Sequence, residues 1–124
     1  LTILKDIKNI EVEQFGRRCF IRAKPDKEDI SLACDGLQRA RKVILGGKYR
    51  LVILDEINIA IKFKLISLKE VVALLKDAPK DIEIVLTGRY ASLQILKLAD
   101  LVSEIKEKKH YYNQGVKARK GIEF

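Results

Sequence analysis

The sequence predicts an α/β fold: a single domain with a mainly parallel β-sheet flanked by helices. Strand-like apolar runs alternate with segments of helical periodicity, in the order strand, helix, strand, helix, strand, helix, strand. This alternation is typical of parallel sheets with right-handed crossover connections. The chain has 124 residues, of which 48% are hydrophobic, so it can form one compact core but not comfortably two. We therefore treat residues 1–124 as one domain.

The first part of the chain contains two predicted strands and one long predicted helix. The segment IEVEQF, residues 10–15, alternates apolar and polar residues, and CFI, residues 19–21, can form a short second strand. Pro25 and Asp26 predict the start of a helix, with Asp26 as its N-cap. Apolar residues then recur at helical spacing as far as Gly46–Gly47, where we expect the helix to end.

A predicted central strand and a capped helix follow. RLVILD, residues 50–55, is a continuous apolar run, which favours a strand covered on both faces. INIAIKFKLI, residues 57–66, is ambiguous between an alternating pattern and a loop with a short helix. Ser67 and Glu70 form the capping-box pattern S-x-x-E ahead of the next helix, and Pro79 stops that helix.

The remaining predicted elements are two strands, a helix between them and a tail. IEIVLTG, residues 82–88, is the next strand, ASLQILKLA, residues 91–99, is a short helix, and DLVSEIK, residues 100–106, is another strand. The tail, residues 108–124, has no clear period. We expect an irregular segment there, with room for a small β-hairpin.

The charge distribution indicates an anionic partner without naming it. The net charge is +8. Part of this excess lies between residues 106 and 120, where one acid, Glu107, accompanies six basic residues, Lys106, Lys108, Lys109, Lys117, Arg119 and Lys120. Such a surface attracts polyphosphates, nucleic acid or another anion, although a solvated lysine-rich face is an equally good interpretation. Few aromatic residues lie among these charges, so a base-stacking binder of single strands is not favoured.

Composition also restricts the other classes of function. His110 is the single histidine, which excludes a histidine-rich metal site built by this chain. Cys19 and Cys34 lack CxxC spacing, so we expect free thiols that pack in the protein and a reducing, cytoplasmic location. The sequence has no apolar run near the roughly 18 residues of a membrane span. We therefore expect no membrane partner.

Polar residues follow the predicted strands at the edge where ligands bind in parallel sheets. Asp55 and Glu56 follow the first apolar strand directly, in the manner of a Walker B element, and Thr87-Gly88-Arg89 follow the next. Carboxylate oxygens at a rigid strand end suit Mg²⁺, whose other ligands are often phosphate oxygens and water. Arg89 has a planar, permanently charged fork that suits phosphate. Two exposed acids and an ordinary surface turn are the alternatives.

The third predicted strand ends in the same kind of chemistry. Ser103–Glu104 lie near its end, and the chain continues into Lys108, Lys109 and His110. His110 can hydrogen-bond a ligand at this edge or simply be exposed, and the sequence favours neither possibility over the other.

A phosphate loop of the form GxxxxGK[ST] is absent from the sequence. The chain also contains no methionine and begins with Leu1 in the middle of an apolar pattern. We therefore expect that an N-terminal strand and phosphate loop are missing, through truncation, cleavage or disorder, and that these residues are the C-terminal two-thirds of the full protein. The chain alone should then be inactive and bind ATP weakly or not at all.

Four segments together resemble one known family. VILDEINIAI, IEIVLTGRYA, LADLVSEIKEKKHYY and GVKARKGIEF occur in this order at family-like spacings, and the resemblance covers residues 16–124. They resemble the ATP:corrinoid adenosyltransferases of the cobalamin-biosynthetic type. The resemblance implies a P-loop NTPase-like (RecA-like) α/β fold and a homodimer. It also implies transfer of the 5′-deoxyadenosyl group of ATP to the Co(I) of a reduced corrinoid, with release of triphosphate.

The resemblance also implies roles for particular residues. Glu56, with Asp55 beside it, would handle Mg²⁺, and Arg89 would face the phosphates as a second catalytic residue. The nucleotide would contact the turn and the basic segment through Thr87, Gly88, Arg89 and His110. Phe20 would pack against the corrin.

Two other functions compete with this interpretation. One is a fragment of another P-loop-fold NTPase that acts on nucleic acid, which the charge of +8 mildly favours. We nevertheless consider a nucleic-acid partner the weaker expectation. The other is a non-catalytic binding module without a phosphate loop.

Overall fold

The computed structural model describes residues 2–17 and 24–122, and the structural statements below concern these residues. Two parallel strands form its sheet, β1 (Leu51–Leu54) and β2 (Glu83–Leu86). The pairing runs in register from Leu51 opposite Glu83 to Leu54 opposite Leu86. The helices, in chain order, are α1 (Thr2–Lys5), α2 (Lys27–Leu45), α3 (Ile57–Lys62), α4 (Leu68–Asp77), α5 (Leu93–Leu98) and a short 3₁₀ helix (Tyr111–Gln114). The prediction of an α/β fold with a parallel sheet is confirmed for these two strands, which are the two that carry the candidate site.

Helix α2 begins and ends where the sequence predicts. Asp26 accepts a hydrogen bond from the backbone N–H of Asp29 at 2.9 Å, and the Asp29 carboxylate accepts one from the N–H of Asp26 at 3.1 Å. This reciprocal pair satisfies two backbone donors that a helix start leaves free. Arg17 adds ion pairs at 2.7 Å to both aspartates, which attach the preceding segment to the helix. Gly46 is the C-cap.

The connection between the strands contains two helices. The ambiguous segment after β1 folds as the short helix α3, and Lys64 and Leu65 then lead into α4. Ser67 caps α4, but its hydroxyl accepts from the N–H of Lys69 at 3.2 Å. The capping box predicted with Glu70 is not among the hydrogen bonds of the described residues, so Ser67 acts there without a reciprocal partner.

The core lies between the helices and one face of the sheet. Its buried apolar side chains are Ile44, Ile66, Val71, Leu74 and Ile95. Leu86 of β2 packs against the cluster formed by Ile66, Val71 and Ile95. The core therefore fixes the two strands through their inward-facing residues.

The opposite face of the sheet is exposed, contrary to prediction. Leu51, Ile53 and Val85 are 52%, 57% and 42% exposed. The continuous apolar run RLVILD predicted a strand covered on both faces, and this is wrong for the part of the chain that the structure describes. An apolar run does not tell which of its faces a neighbouring element covers.

The predicted strand at residues 10–15 is wrong. In the structure this segment is irregular, and its acids form ion pairs with cations of other segments: Glu11 with Lys48 and Glu13 with Arg39, both at 2.6 Å. The alternating polar residues thus bind charged side chains and do not face solvent from a sheet. CFI, residues 19–21, lies outside the described residues.

The predicted strand at residues 100–106 is also wrong, as is the possible hairpin in the tail as far as residue 122. Leu101 and Ile105 are 84% and 98% exposed, so this segment has apolar residues but no sheet neighbour in the described part of the chain. A 3₁₀ helix is the regular element of the described tail. No helix within the described ranges is long and apolar enough to cross a membrane.

Candidate active site

The ends of β1 and β2 lie side by side because the strands are parallel and in register. The pairing continues one residue past β2, where the N–H of Thr87 donates to the carbonyl of Leu54 at 3.2 Å. Residues 55–56 and 87–89 therefore leave the sheet at the same edge, as the sequence predicted.

The hydroxyl of Thr87 connects the two strand ends. It donates to Oδ1 of Asp55 at 2.6 Å and accepts from the backbone N–H of Glu56 at 2.8 Å. A short hydrogen bond to a carboxylate is stronger than one between neutral groups. Thr87 thus holds both members of the acidic pair relative to the second strand.

Glu56 and Gly88 approach each other in unusual backbone conformations. Glu56 has a φ of 57°, in the left-handed region, and Gly88 has a φ of 107°. A Cβ atom on residue 88 would lie 3.0 Å from Oε2 of Glu56 and 3.2 Å from its Cα. Glycine at 88 thus permits both the backbone angle and the close approach of the carboxylate. A left-handed, non-glycine residue next to such a contact is a common sign of a functional site.

Asn58 is a component of this edge that the sequence did not indicate. Its side chain is buried, at 4% exposure, and Nδ2 donates to the carbonyls of Thr87 at 3.0 Å and Gly88 at 3.4 Å. Its backbone N–H also donates to the carbonyl of Thr87, at 3.2 Å. In the sequence, Asn58 stands out only as an amide side chain within a largely apolar segment. The secondary structure of that segment, residues 57–66, was ambiguous.

Arg89 lies next to Gly88 on the same turn and is exposed. Its guanidinium carbon is 5.7 Å from the centre of the Tyr90 ring, and Nζ of Lys62, from the end of α3, is 5.4 Å from the same ring. Tyr90 has a φ of 68°, which is unusual for a bulky residue. Two cations and an aromatic ring therefore lie together at the turn that follows Gly88, a composition that suits a phosphate-containing ligand.

His110 is not joined to this edge. Its Nδ1 accepts a hydrogen bond from the N–H of Tyr112 at 3.0 Å, so it caps the 3₁₀ helix, and its ring lies 4.9 Å from that of Tyr111. Within the described ranges, His110 has no hydrogen bond, ion pair or ring contact to the strand ends. Phe20 lies outside the described residues, so its predicted role also stays a prediction.

The acidic pair has the chemistry that Mg²⁺ requires. Asp55 and Glu56 are exposed, and within the described chain the Glu56 carboxylate and Oδ2 of Asp55 accept no hydrogen bond. No group of three or more His, Cys, Asp or Glu residues able to hold a metal occurs among residues 2–17 and 24–122. The residues therefore fit an ion held by one or two carboxylates and completed by phosphate and water, and not a cage made by protein alone.

An α/β domain with an acidic pair, a glycine turn and an arginine at one strand edge has the arrangement of a phosphate-ligand site. Comparison with known proteins gives a more specific assignment. The chain matches the model of the family described as ATP:corrinoid adenosyltransferase BtuR/CobO/CobP over residues 1–124, and it belongs to that family. This confirms the resemblance drawn from the four sequence segments.

Individual relatives support the same family. The chain is 39% identical over 97 residues to a corrinoid adenosyltransferase of Sinorhizobium sp, covering 77% of this chain and 45% of the relative. It is 34% identical over 100 residues to the corrinoid adenosyltransferase of Escherichia coli strain K12, covering 80% of this chain and 51% of the relative. A Pseudomonas aeruginosa corrinoid adenosyltransferase is 36% identical over 98 residues, covering 79% of this chain and 48% of the relative. The chain thus spans about half the length of these curated relatives.

Proposed function

We propose that the protein to which these residues belong is an ATP:corrinoid adenosyltransferase that transfers the 5′-deoxyadenosyl group of ATP to the Co(I) of a reduced corrinoid. Family membership supports this activity. The observation that carries it in the structure is the Thr87 hydroxyl, which joins Asp55 and the backbone of Glu56 at the end of two parallel strands. We propose the P-loop NTPase-like arrangement for the complete fold, since the parallel pair and its flanking helices agree with it.

The proposed reaction forms a bond between cobalt and C5′ while the bond from C5′ to the triphosphate oxygen breaks. The electron pair of the broken bond between C5′ and oxygen leaves with triphosphate. Because the nucleophile belongs to the substrate, the protein contributes positioning and charge stabilisation. Bound Mg²⁺ would supply positive charge that stabilises the departing triphosphate.

The residues of this chain have separate tasks in the proposal. Asp55 and Glu56 hold the metal, and Thr87 fixes their separation from the glycine turn. Arg89 binds phosphate oxygens, with the backbone of Thr87 and Gly88 lining the same edge. His110 and Phe20 remain proposed contacts to nucleotide and corrinoid through the family resemblance alone.

We further propose a homodimer, from the resemblance, and a cytoplasmic location, from two cysteines without CxxC spacing. The family match does not favour the alternatives of a nucleic-acid-dependent NTPase or a non-catalytic module.

The proposal is tested by mixing the full-length gene product with MgATP and a corrinoid under strong reductant, and following adenosylation by absorbance. We expect conversion by the wild type and a loss of about 10- to 100-fold in turnover at limiting Mg²⁺ for Glu56→Gln, which removes a metal-handling charge. Glu70→Gln, at an exposed position on α4, is the matched control and should behave as wild type. Absence of conversion by the wild type would refute the activity, and unchanged turnover of Glu56→Gln would refute the role of Glu56.

A further inference from the structure

Asn58 occupies an unusual position for an amide side chain. It is 4% exposed, at the start of a short helix, and both its backbone and its side-chain N–H groups point to the turn after β2. The carbonyl of Thr87 receives two hydrogen bonds from this one residue, and the carbonyl of Gly88 receives a third. Asn58 therefore connects the start of α3 to residues 87–88 through three hydrogen bonds, two of them from its side chain.

The other end of the amide gives the second observation. Oδ1 of Asn58 is buried and has no hydrogen-bond partner in the part of the chain that the structure describes. A buried acceptor without a partner destabilises the folded state relative to a satisfied one. An apolar side chain of the same size would avoid this cost. The backbone N–H of residue 58 would still donate to the carbonyl of Thr87. Stability is thus a poor reason for an amide at this position, whereas the geometry of the turn is a good one.

The contacts lead from Asn58 to the acidic pair in two steps. The side-chain amide of Asn58 donates to the carbonyl of Thr87. The hydroxyl of Thr87 in turn accepts a hydrogen bond from the backbone N–H of Glu56. Asn58 also holds the carbonyl of Gly88, whose Cα faces the Glu56 carboxylate closely enough to exclude a side chain. If the side-chain amide is removed, the turn keeps the hydrogen bond from the backbone N–H of residue 58 to Thr87, but the carbonyl of Gly88 loses its donor and the position of residues 87–88 beside Glu56 is less restrained.

From these contacts we infer that Asn58 is a positioning residue that sets the Glu56 carboxylate for metal binding by fixing the Thr87–Gly88 turn. The inference rests on the proposed function, since it assumes that Glu56 handles the metal. It assigns Asn58 no contact with metal or substrate. Positioning partners of this kind typically affect metal affinity by about 10- to 100-fold when they are removed.

The test uses the full-length protein with ATP and measures binding of Mn²⁺, as a probe of the Mg²⁺ site, by electron paramagnetic resonance. Asn58→Leu keeps the approximate volume and removes the side-chain donors, and Asn58→Ala removes them without adding a larger apolar group or a charge. Hydrogen exchange of the Glu56 amide reports the local contact, and exchange of the Leu74 amide, from the core, reports global unfolding. Ser67→Ala, which removes the side-chain cap of α4 and none of the hydrogen bonds of the site, is the control for a general loss of stability.

We expect both Asn58 variants to bind Mn²⁺ about 10- to 100-fold more weakly than wild type, with faster exchange at Glu56 and unchanged exchange at Leu74. Ser67→Ala should retain Mn²⁺ binding. Wild-type Mn²⁺ binding in both variants overturns the inference, as does equally accelerated exchange at Leu74 and Glu56, which would mean a purely structural role.

Glu56→Gln separates this inference from the proposed function. If Glu56→Gln loses Mn²⁺ binding while the Asn58 variants keep it, the role of Asn58 is wrong and the metal site stands. If Glu56→Gln itself binds Mn²⁺ as the wild type does, the metal role of Glu56 is wrong, and the positioning role of Asn58 is refuted with it.

Discussion

Single residues determine the geometry of the strand-end site, and Gly88 is an example, since its position leaves no room for a side chain. Its φ of 107° is unfavourable for any residue with a Cβ, and the carboxylate of Glu56 occupies the space that a Cβ would need. The turn therefore tolerates a side chain at 88 only if Glu56 moves.

Gly88→Ala should destabilise the protein by more than the left-handed backbone alone costs, which is about 1–2 kcal/mol. Gly47→Ala is the matched control, because Gly47 has a φ of 66° and its added Cβ would meet nothing within 4 Å. Denaturant unfolding of both variants gives the comparison. Equal losses in the two would mean that the contact between Gly88 and Glu56 contributes nothing.

The sequence predicted part of this residue-scale arrangement. Asp55, Glu56, Thr87 and Gly88 were expected at one edge because parallel strands bring their carboxyl ends together, and the structure confirms their proximity. His110 could not be located from sequence, since its position depends on the fold of a tail without periodicity. Asn58 was missed because its importance lies in burial and in two carbonyls about thirty residues away along the chain.

At the scale of elements, local signals located the helices better than the strands. Asp26, Gly46 and Ser67 mark helix ends through hydrogen bonds to neighbouring backbone, which sequence spacing determines. A strand depends on a partner distant in sequence. Residues 10–15 and 100–106 have strand-like patterns, but they have no ladder partner among residues 2–17 and 24–122, and neither forms a strand there.

The start of α2 gives a pH-dependent prediction. The backbone hydrogen bond from Asp29, and then the hydrogen bond from Arg17, lower the pKa of Asp26 below its usual value of 3.8. A carboxyl whose pKa is lower in the folded state stabilises that state above its unfolded pKa, and this contribution is lost as pH falls through the folded pKa.

Asp26→Asn provides the comparison, because asparagine caps helices about as well as aspartate but does not titrate in this range. The free energy of unfolding of wild type relative to Asp26→Asn should fall between about pH 5 and about pH 2, and should be nearly constant above that range. Denaturant titrations at several pH values measure this difference. A difference that rises as pH falls would contradict the assigned direction of the pKa.

At the scale of the whole molecule, the sheet has one packed face and one open apolar face. A two-stranded sheet has little stability by itself and depends on the helices that cover it. Here α2, α4 and α5 supply the packed side, while Leu51, Ile53 and Val85 face outward. The sequence indicated apolar strands correctly but could not show which face is covered.

Ile53→Thr should therefore change the stability of the 124-residue chain by less than about 1 kcal/mol, since little apolar area at this position is removed from water. Leu74→Ala, at a side chain only 1% exposed, should cost about 2–5 kcal/mol and is the buried reference. Thermal and denaturant unfolding compare the two. A loss for Ile53→Thr as large as that for Leu74→Ala would mean that the outer face is buried in solution.

The most direct test of the account is paramagnetic broadening of backbone amide signals in the isotope-labelled full-length protein with bound ATP and Mn²⁺. The ion should broaden the amides at both strand ends, those of Glu56, Thr87 and Gly88, more strongly than that of Leu74 in α4. Broadening confined to another part of the protein, with the signals of residues 55–56 and 87–89 unchanged, would contradict a metal-phosphate site at this edge.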